Sequence, residues 1–180
     1  MTTDQTIDVA IIGGGPAGYA AAIYAARANL TTTVLEQGMS GGQIATSNEI
    51  ENYPGIPLLS GVELGERFQQ HAEGLGAQVE WSMVTGVDYD ADAAQFTIHH
   101  DMGDTVTKSV IACMGATPRP AGFVGEDTYR GRGVSYCATC DGMFFRGKQV
   151  FVIGGGNSAC EEALFLSDIA SSVTIVLRRD

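Results

Sequence analysis

The sequence is poor in positive charge. Ten Lys and Arg stand against 21 Asp and Glu, giving a net charge of −11, and the cations never form a run. A nucleic-acid backbone or an anionic membrane surface is held by clustered cations, so neither is expected as a partner. Long hydrophobic runs are missing too. The stretch from Val9 to Ala26 is interrupted by Gly13, Gly14, Gly15, Pro16 and Gly18, a cluster that a membrane span would not carry. No cationic segment followed by an apolar one opens the chain, so no secretory signal is expected. Cysteine is scarce: of Cys113, Cys137, Cys140 and Cys160, only one pair is close in sequence. That argues against a disulfide scaffold and suits a cytoplasmic protein with one working dithiol. A zinc site is not expected either, because Cys113 and Cys160 are single and far apart. Of the three histidines, His71 reads as a solvated helix residue. His99 and His100 are neighbours on an expected strand and so point to opposite faces, which argues against a shared metal. What remains is a chain with 44% hydrophobic and 17% charged residues, enough to bury a core. Its 180 residues suit one large or two small domains.

The first ordered signal is Ile7 to Ile12, a short β-branched run that reads as a buried strand. Gly13-Gly14-Gly15-Pro16-Ala17-Gly18 follows in the G-x-G-x-x-G pattern. Tyr19 to Asn29 is alanine-rich and helical, and Thr31 to Leu35 is a second strand ending at Glu36. Strand, glycine turn, helix, strand and acid together describe a dinucleotide site. Glycine lets the backbone approach a pyrophosphate, whose charge the helix N-terminus stabilises. Glu36, 23 residues after Gly13, stands where a carboxylate accepts from an adenosine ribose.

Gly41-Gly42-Gln43 and Glu51-Asn52-Tyr53-Pro54-Gly55 are turn-rich and polar. From spacing alone, a surface loop and a loop lying along a cofactor stand level. Gly61 to Gly74 reads as an amphipathic helix. Ala77–Trp81, Val84–Tyr89, Phe96–His100 and Thr105–Met114 alternate as short strands. Ala116-Thr117-Pro118-Arg119-Pro120 reads as a linker stiffened by two prolines, and the domain boundary is placed between residues 117 and 118.

Beyond the linker the chain repeats itself. Val150 to Ala159 mirrors Val9 to Gly18 at an offset of 141, with Gly154, Gly155 and Gly156 in place of the first three glycines and Asn157-Ser158-Ala159 closing the turn. A helical run, Cys160–Asp168, and a strand, Val173–Leu177, follow. The second strand of the first copy ends in Glu36; that of the second ends in Arg178-Arg179. A carboxylate repels a ribose 2′-phosphate, and arginines bind one by charge-assisted hydrogen bonds. The first site should therefore take an unphosphorylated ribose and the second should prefer NADP. The bland alternative for the arginines is a solvated strand end.

Between the two turns lies Cys137-Ala138-Thr139-Cys140-Asp141. Cysteines at this spacing close a small disulfide ring, and the adjoining carboxyl group can move the proton that thiol exchange releases.

The glycine turns, Gly41-Gly42-Gln43, Glu51-Asn52-Tyr53-Pro54-Gly55, Arg130-Gly131-Arg132-Gly133-Val134-Ser135, Cys137-Ala138-Thr139-Cys140-Asp141-Gly142 and Arg178-Arg179-Asp180 together resemble the N-terminal part of the low-molecular-weight, bacterial-type thioredoxin reductases, over the whole length given. The resemblance implies an α/β fold with two Rossmann-like domains of the three-layer FAD/NAD(P)-binding kind, a small antiparallel insertion in the first, and a second that this chain leaves incomplete. Residues 1–117 would hold FAD through Gly13, Gly14, Gly15, Pro16, Ala17, Glu36, Gln37, Gly41, Gly42, Gln43, Asn52, Val84 and Met114. Residues 118–180 would hold NADPH through Gly154, Gly156, Asn157, Ser158, Ala159, Arg178 and Arg179. Cys137 would meet thioredoxin, Cys140 would face the flavin and Asp141 would protonate the leaving thiolate. A homodimer, and a swivel of one domain against the other, are further implications. Two departures stand out: Cys113-Met114-Gly115 where the family often has Ala-Thr-Gly, and Leu177 where it usually has histidine before the two arginines. The second weakens the expected preference for NADPH over NADH. Because a mononucleotide-binding half needs a third strand, a fragment of this length is expected to bind FAD weakly and turn over poorly.

Overall fold

Ile7–Ile12 forms the central strand β1, and its alternate residues fill two different cores. The computed structural model describes residues 7–178. The chain divides into two compact units, Met1–Ala116 and Thr117–Asp180.

In the first unit, β1 pairs in parallel with β2 (Thr32–Glu36) on one side and with the far half of β6 (Gly103–Ala112) on the other. A third parallel strand, β3 (Gln78–Trp81), lies beside β2. The near half of β6 pairs antiparallel with β5 (Gln95–His100), which pairs in turn with β4 (Val84–Asp90). The strand order is β3-β2-β1-β6-β5-β4. One face of β1 packs Val9 and Ile11, with Val34, against Tyr19, Ala22 and Ala25 of helix α1 (Pro16–Arg27) and Ala72 of helix α2 (Gly61–Gly74). The other face packs Ala10 and Ile12, with Leu35, against Ile98 of β5. The antiparallel strands thus cover the side of the parallel strands that the helices leave open, which makes three layers. Ile11, Leu35 and Ile98 are fully buried, each worth about 1.5–3 kcal/mol.

Register sets the site. Ile12 lies opposite both Leu35 and Ala112, so β1, β2 and β6 end level and Gly13, Glu36 and Cys113 emerge at one edge. Helix α1 begins at Pro16, earlier than Tyr19, because Gly15 is already its N-cap and Pro16 pre-sets the first helical φ.

In the second unit, β7 (Gln149–Ile153) and β8 (Ser172–Val176) pair in parallel, joined by helix α4 (Asn157–Ser167). The helix again starts at the glycine turn and not at Cys160, for the same N-cap reason. The core is small: Val152, Ala163 and Leu166 close around Ala138 of a short helix α3 (Ala138–Asp141). Phe151, Ile153, Leu164 and Ile175 stay exposed. Among the described residues, no helix is long and apolar enough to cross a membrane.

Candidate functional site

The first glycine turn is a tight stack of backbone. Gly13 has φ +105°, and a Cβ on it would lie 2.3 Å from the Cys113 carbonyl oxygen. A Cβ on Gly18 would lie 1.8 Å from the Gly13 carbonyl oxygen. Only glycine allows the turn, the β6 end and the start of α1 to meet this closely. Gly41 N–H donates to Gly14 O at 2.8 Å, and a Cβ on Gly42 would lie 3.4 Å from Gly15 Cα. The Gly41–Gly42 loop therefore lies against the first turn. Helix α2 backs this loop through two more glycines: a Cβ on Gly61 would lie 1.7 Å from Ile44 O, and one on Gly65 would lie 2.3 Å from Ser40 O.

The Glu36 carboxylate sits inside this stack at 9% exposure. One oxygen accepts from Gly14 N–H at 2.5 Å and the other from Gly38 N–H at 2.7 Å. Each oxygen keeps a lone pair for a further donor, so the acid locks the turn and still suits a ribose. Beneath the turn, the fully buried Tyr19 hydroxyl bonds Ser40 Oγ at 2.7 Å, and Ser40 in turn bonds Gln69. Burial holds the Tyr19 phenol above its ordinary range. Burial also pushes up the Cys113 thiol. Met114 is exposed beside Gly13, while Gln37 is exposed just after β2 and Gln43 is exposed in the 3-10 helix Gly42–Thr46. Asn52 lies exposed in a loop closed by the Ile50–Leu59 and Tyr53–Ile56 bridges. Val84 begins β4 and packs into the core. No hydrogen bond or close glycine approach among the described residues ties Asn52 or Val84 to the turn.

Both turns fit a pyrophosphate. Gly15 caps α1 and Gly156 caps α4, each without a side-chain cap, so the first-turn N–H groups of both helices are left to a ligand. Space is there as well: a Cβ on Gly15 would meet nothing nearer than 3.9 Å, and one on Gly156 nothing within 4 Å. Asn157 and Ser158 are exposed in the second turn, Ala159 is half-buried there, and Arg178 is exposed just beyond the end of β8. Leu177 lies over the turn, with its Cδ2 2.6 Å from where a Gly155 Cβ would be. Arg179 lies outside the described residues.

In the second unit Cys137 and Cys140 are bonded, with their Cα atoms 5.3 Å apart. Cys137 caps α3: its sulfur accepts from Cys140 N–H at 3.2 Å. Ala138, inside the ring, is 7% exposed and fixed in the core, so the ring is anchored at its middle while Cys140 stays exposed. Ser135 links the two ends of the site. Its Oγ accepts from Cys137 N–H at 3.1 Å and donates to Asp141 Oδ2 at 2.5 Å. Sequence reasoning gave no role to Ser135, Tyr19 or Ser40; Ser135 closes one of the motifs that carry the resemblance, and the other two are hydroxyls beside the glycine motifs. Cys113 and Cys160 remain free thiols. His99 and His100 do face different groups: His99 bonds Asp88 and Asp104, and His100 bonds Thr105.

Compared with known proteins, the chain matches the family described as pyridine nucleotide-disulphide oxidoreductase over residues 7–180. It is 43% identical to a thioredoxin reductase of Bacillus subtilis (strain 168), across 100% of this chain and 56% of that protein. It is 44% identical to a glucosaminate ammonia-lyase of Pseudomonas fluorescens, across 96% of this chain and 53% of that protein. Among solved structures, thioredoxin reductase from Streptococcus pyogenes MGAS5005 superposes with a TM-score of 0.91 at 42% identity, covering 99% of this chain and 57% of that one. The chain spans about half the length of the curated relatives it matches.

Proposed function

The chain belongs to the pyridine nucleotide-disulphide oxidoreductase family, and on that premise we propose that it works in a flavin-dependent thioredoxin-disulfide reductase, with NADPH as donor, FAD as carrier and the Cys137–Cys140 pair as the group that meets thioredoxin. The observation that carries this reading is the closed Cys137–Cys140 ring with Asp141 held beside it by Ser135. Residues 1–117 are the FAD-binding part, through Gly13 to Ala17, Glu36, Gln37, Gly41 to Gln43, Asn52, Val84 and Met114. Residues 118–180 are the NADPH-binding part, through Gly154, Gly156 to Ala159, Arg178 and Arg179. Bound together, the two cofactors supply the electron pair that opens the disulfide.

The rest falls to the chain's own side chains. As a thiolate, Cys137 attacks one sulfur of the partner's disulfide, and the displaced sulfur leaves as a thiolate. Asp141 is the proton donor for that leaving group, at the angle set by the Ser135 hydroxyl. Cys140 then attacks Cys137 Sγ, which restores the ring and frees the partner as a dithiol. Thioredoxin lies at about −270 mV, so the pair must be comparably reducing. Scarce cysteine supports a cytoplasmic setting, and the family resemblance adds a homodimer.

The test is an absorbance spectrum of the purified protein, titrated with NADPH, followed by thiol mapping. A protein that turns yellow with added FAD and bleaches as Cys137 and Cys140 become alkylatable supports the reading; one that takes up no FAD even from excess sinks it. A second reading, chemistry other than disulfide reduction on the same architecture, is favoured by the similarity to the glucosaminate ammonia-lyase. Cys137→Ser separates the two, because it abolishes activity only under the first.

A further inference from the structure

The segment between the proline linker and Cys137 is held by polar bonds more than by an apolar core. Val124 is wholly exposed and Tyr129 and Phe123 are partly so, yet Glu126 is only 5% exposed. Its Oε1 accepts from Ala121 N–H at 2.7 Å and from the Tyr136 hydroxyl at 2.6 Å, and its Oε2 accepts from Gly122 N–H at 2.6 Å. A carboxylate is costly to bury unless donors converge on it, and three do so here. The loop between is closed by Tyr129 N–H to Gly125 O at 3.0 Å and Val134 N–H to Tyr129 O at 2.9 Å. The Arg130 guanidinium lies 5.0 Å from the Tyr136 ring centroid. Tyr136 is the residue before Cys137, whose own N–H is taken by Ser135. Hydrogen bonds thus tie Ala121, Gly122 and Tyr136 to Glu126, the peptide bond joins Tyr136 to Cys137, and Ser135 links Cys137 to Asp141. The Tyr136 hydroxyl, and then the Ala121 N–H, hold the Glu126 carboxyl below its ordinary range.

We propose that Glu126 and Tyr136 are positioning residues for Cys137, a carboxylate brace that fixes the direction in which the Cys137–Cys140 pair faces a protein disulfide. The inference rests on the reading of that pair as the exchanging group. Sulfur attack on a disulfide needs near-linear alignment of three sulfurs. A small disulfide can approach a wandering ring from any side. A folded protein carries its disulfide on a fixed surface and cannot, so lost orientation costs rate only with the protein.

The experiment uses the full chain, reduced with excess dithiothreitol and desalted, so that neither cofactor is needed. It is mixed with oxidised thioredoxin or with oxidised glutathione, quenched in acid, and the Cys137–Cys140 bond is followed by alkylation and peptide mass. Tyr136→Phe, which removes one hydroxyl, is expected to slow exchange with thioredoxin about tenfold and to leave glutathione exchange within about twofold. Glu126→Gln, of the same shape, gives the same selective loss. Unchanged rates with thioredoxin, or a parallel fall with both disulfides, overturn the brace. A wild-type chain that exchanges with neither disulfide overturns the functional reading itself, and the brace with it.

Discussion

In the first glycine turn, a methyl group on Gly18 would collide with the Gly13 carbonyl oxygen at 1.8 Å; in the second turn the matching residue is Ala159, and a Cβ on Gly154 would meet its methyl group at an ordinary 3.4 Å. The two turns come from nearly the same sequence. They differ in what presses on them. The first is packed between a six-stranded sheet and the α2-backed loop at Gly41. The second sits on a two-stranded sheet, and Leu177 is the side chain lying over it. A shared motif therefore specifies a shared backbone path, while the tolerance of each position is set by its neighbours.

The sharpest way to break that comparison is a matched pair of substitutions. Gly18→Ala drives carbon into backbone oxygen in the first turn and is expected to cost about 3–4 kcal/mol. Ala159→Gly only loosens a helix start and should cost about 0.5–1 kcal/mol. Urea unfolding of both variants measures this, and equal losses would show that the turns are packed alike.

The next pair concerns the acids and bases at the strand ends. Glu36 satisfies two backbone N–H groups inside the first turn, so Glu36→Ala strands both and should cost about 2–3 kcal/mol. Arg178 is exposed, so Arg178→Ala should change stability by less than about 0.5 kcal/mol. Under the proposed function, Arg178→Ala instead lowers the preference for NADPH over NADH about tenfold, read by titrating each nucleotide. A stability loss at Arg178 as large as that at Glu36 would remove the distinction between a locking acid and a ligand-facing base.

These pairs also mark how far the sequence could be read. The strand–turn–helix order, the two-copy layout and the Cys137–Cys140 ring all follow from local chemistry: β-branched runs, glycines at fixed spacing, cysteines three apart. The roles of Ser135, Ser40 and Glu126 do not, because each depends on a partner brought close only by the folded chain. Tyr19 shows the limit well. In sequence it is one tyrosine in an alanine-rich helix; in the fold its hydroxyl ties the helix to Ser40, 21 residues away. The long strand β6 is another case. Alternation predicts a strand there, but pairing with β1 at one end and β5 at the other is a property of three-layer packing.

Hydroxyl groups give a smaller test. Tyr19→Phe removes a buried bond below the first turn and should cost about 1 kcal/mol of stability, with no change in thiol exchange. Ser135→Ala lies at an exposed position and should leave stability nearly unchanged, while slowing exchange at the Cys137–Cys140 pair. Melting temperature and single-turnover exchange, measured on both variants, separate a structural hydroxyl from a positioning one.

The smallest effect expected is a drift with pH that runs in opposite senses for one group in each unit. In the first unit, the carboxylates of Asp88 and then Asp104 hold the His99 imidazole above its ordinary range. A raised folded value means that the contribution is full below about pH 6.5 and fades as pH rises through the folded value. In the second unit, Glu126 is held below its ordinary range by Tyr136 and the Ala121 N–H. Its contribution is full above the unfolded carboxyl range and fades as pH falls through the folded value. Both effects are slight enough to need difference measurements. His99→Gln should narrow its gap to wild type as the medium becomes alkaline, and Glu126→Gln should narrow its gap as the medium becomes acidic. Melting curves from pH 3 to 9 on the three proteins provide the check. If the two gaps narrow in the same direction, either the His99 or the Glu126 contact is not made in solution.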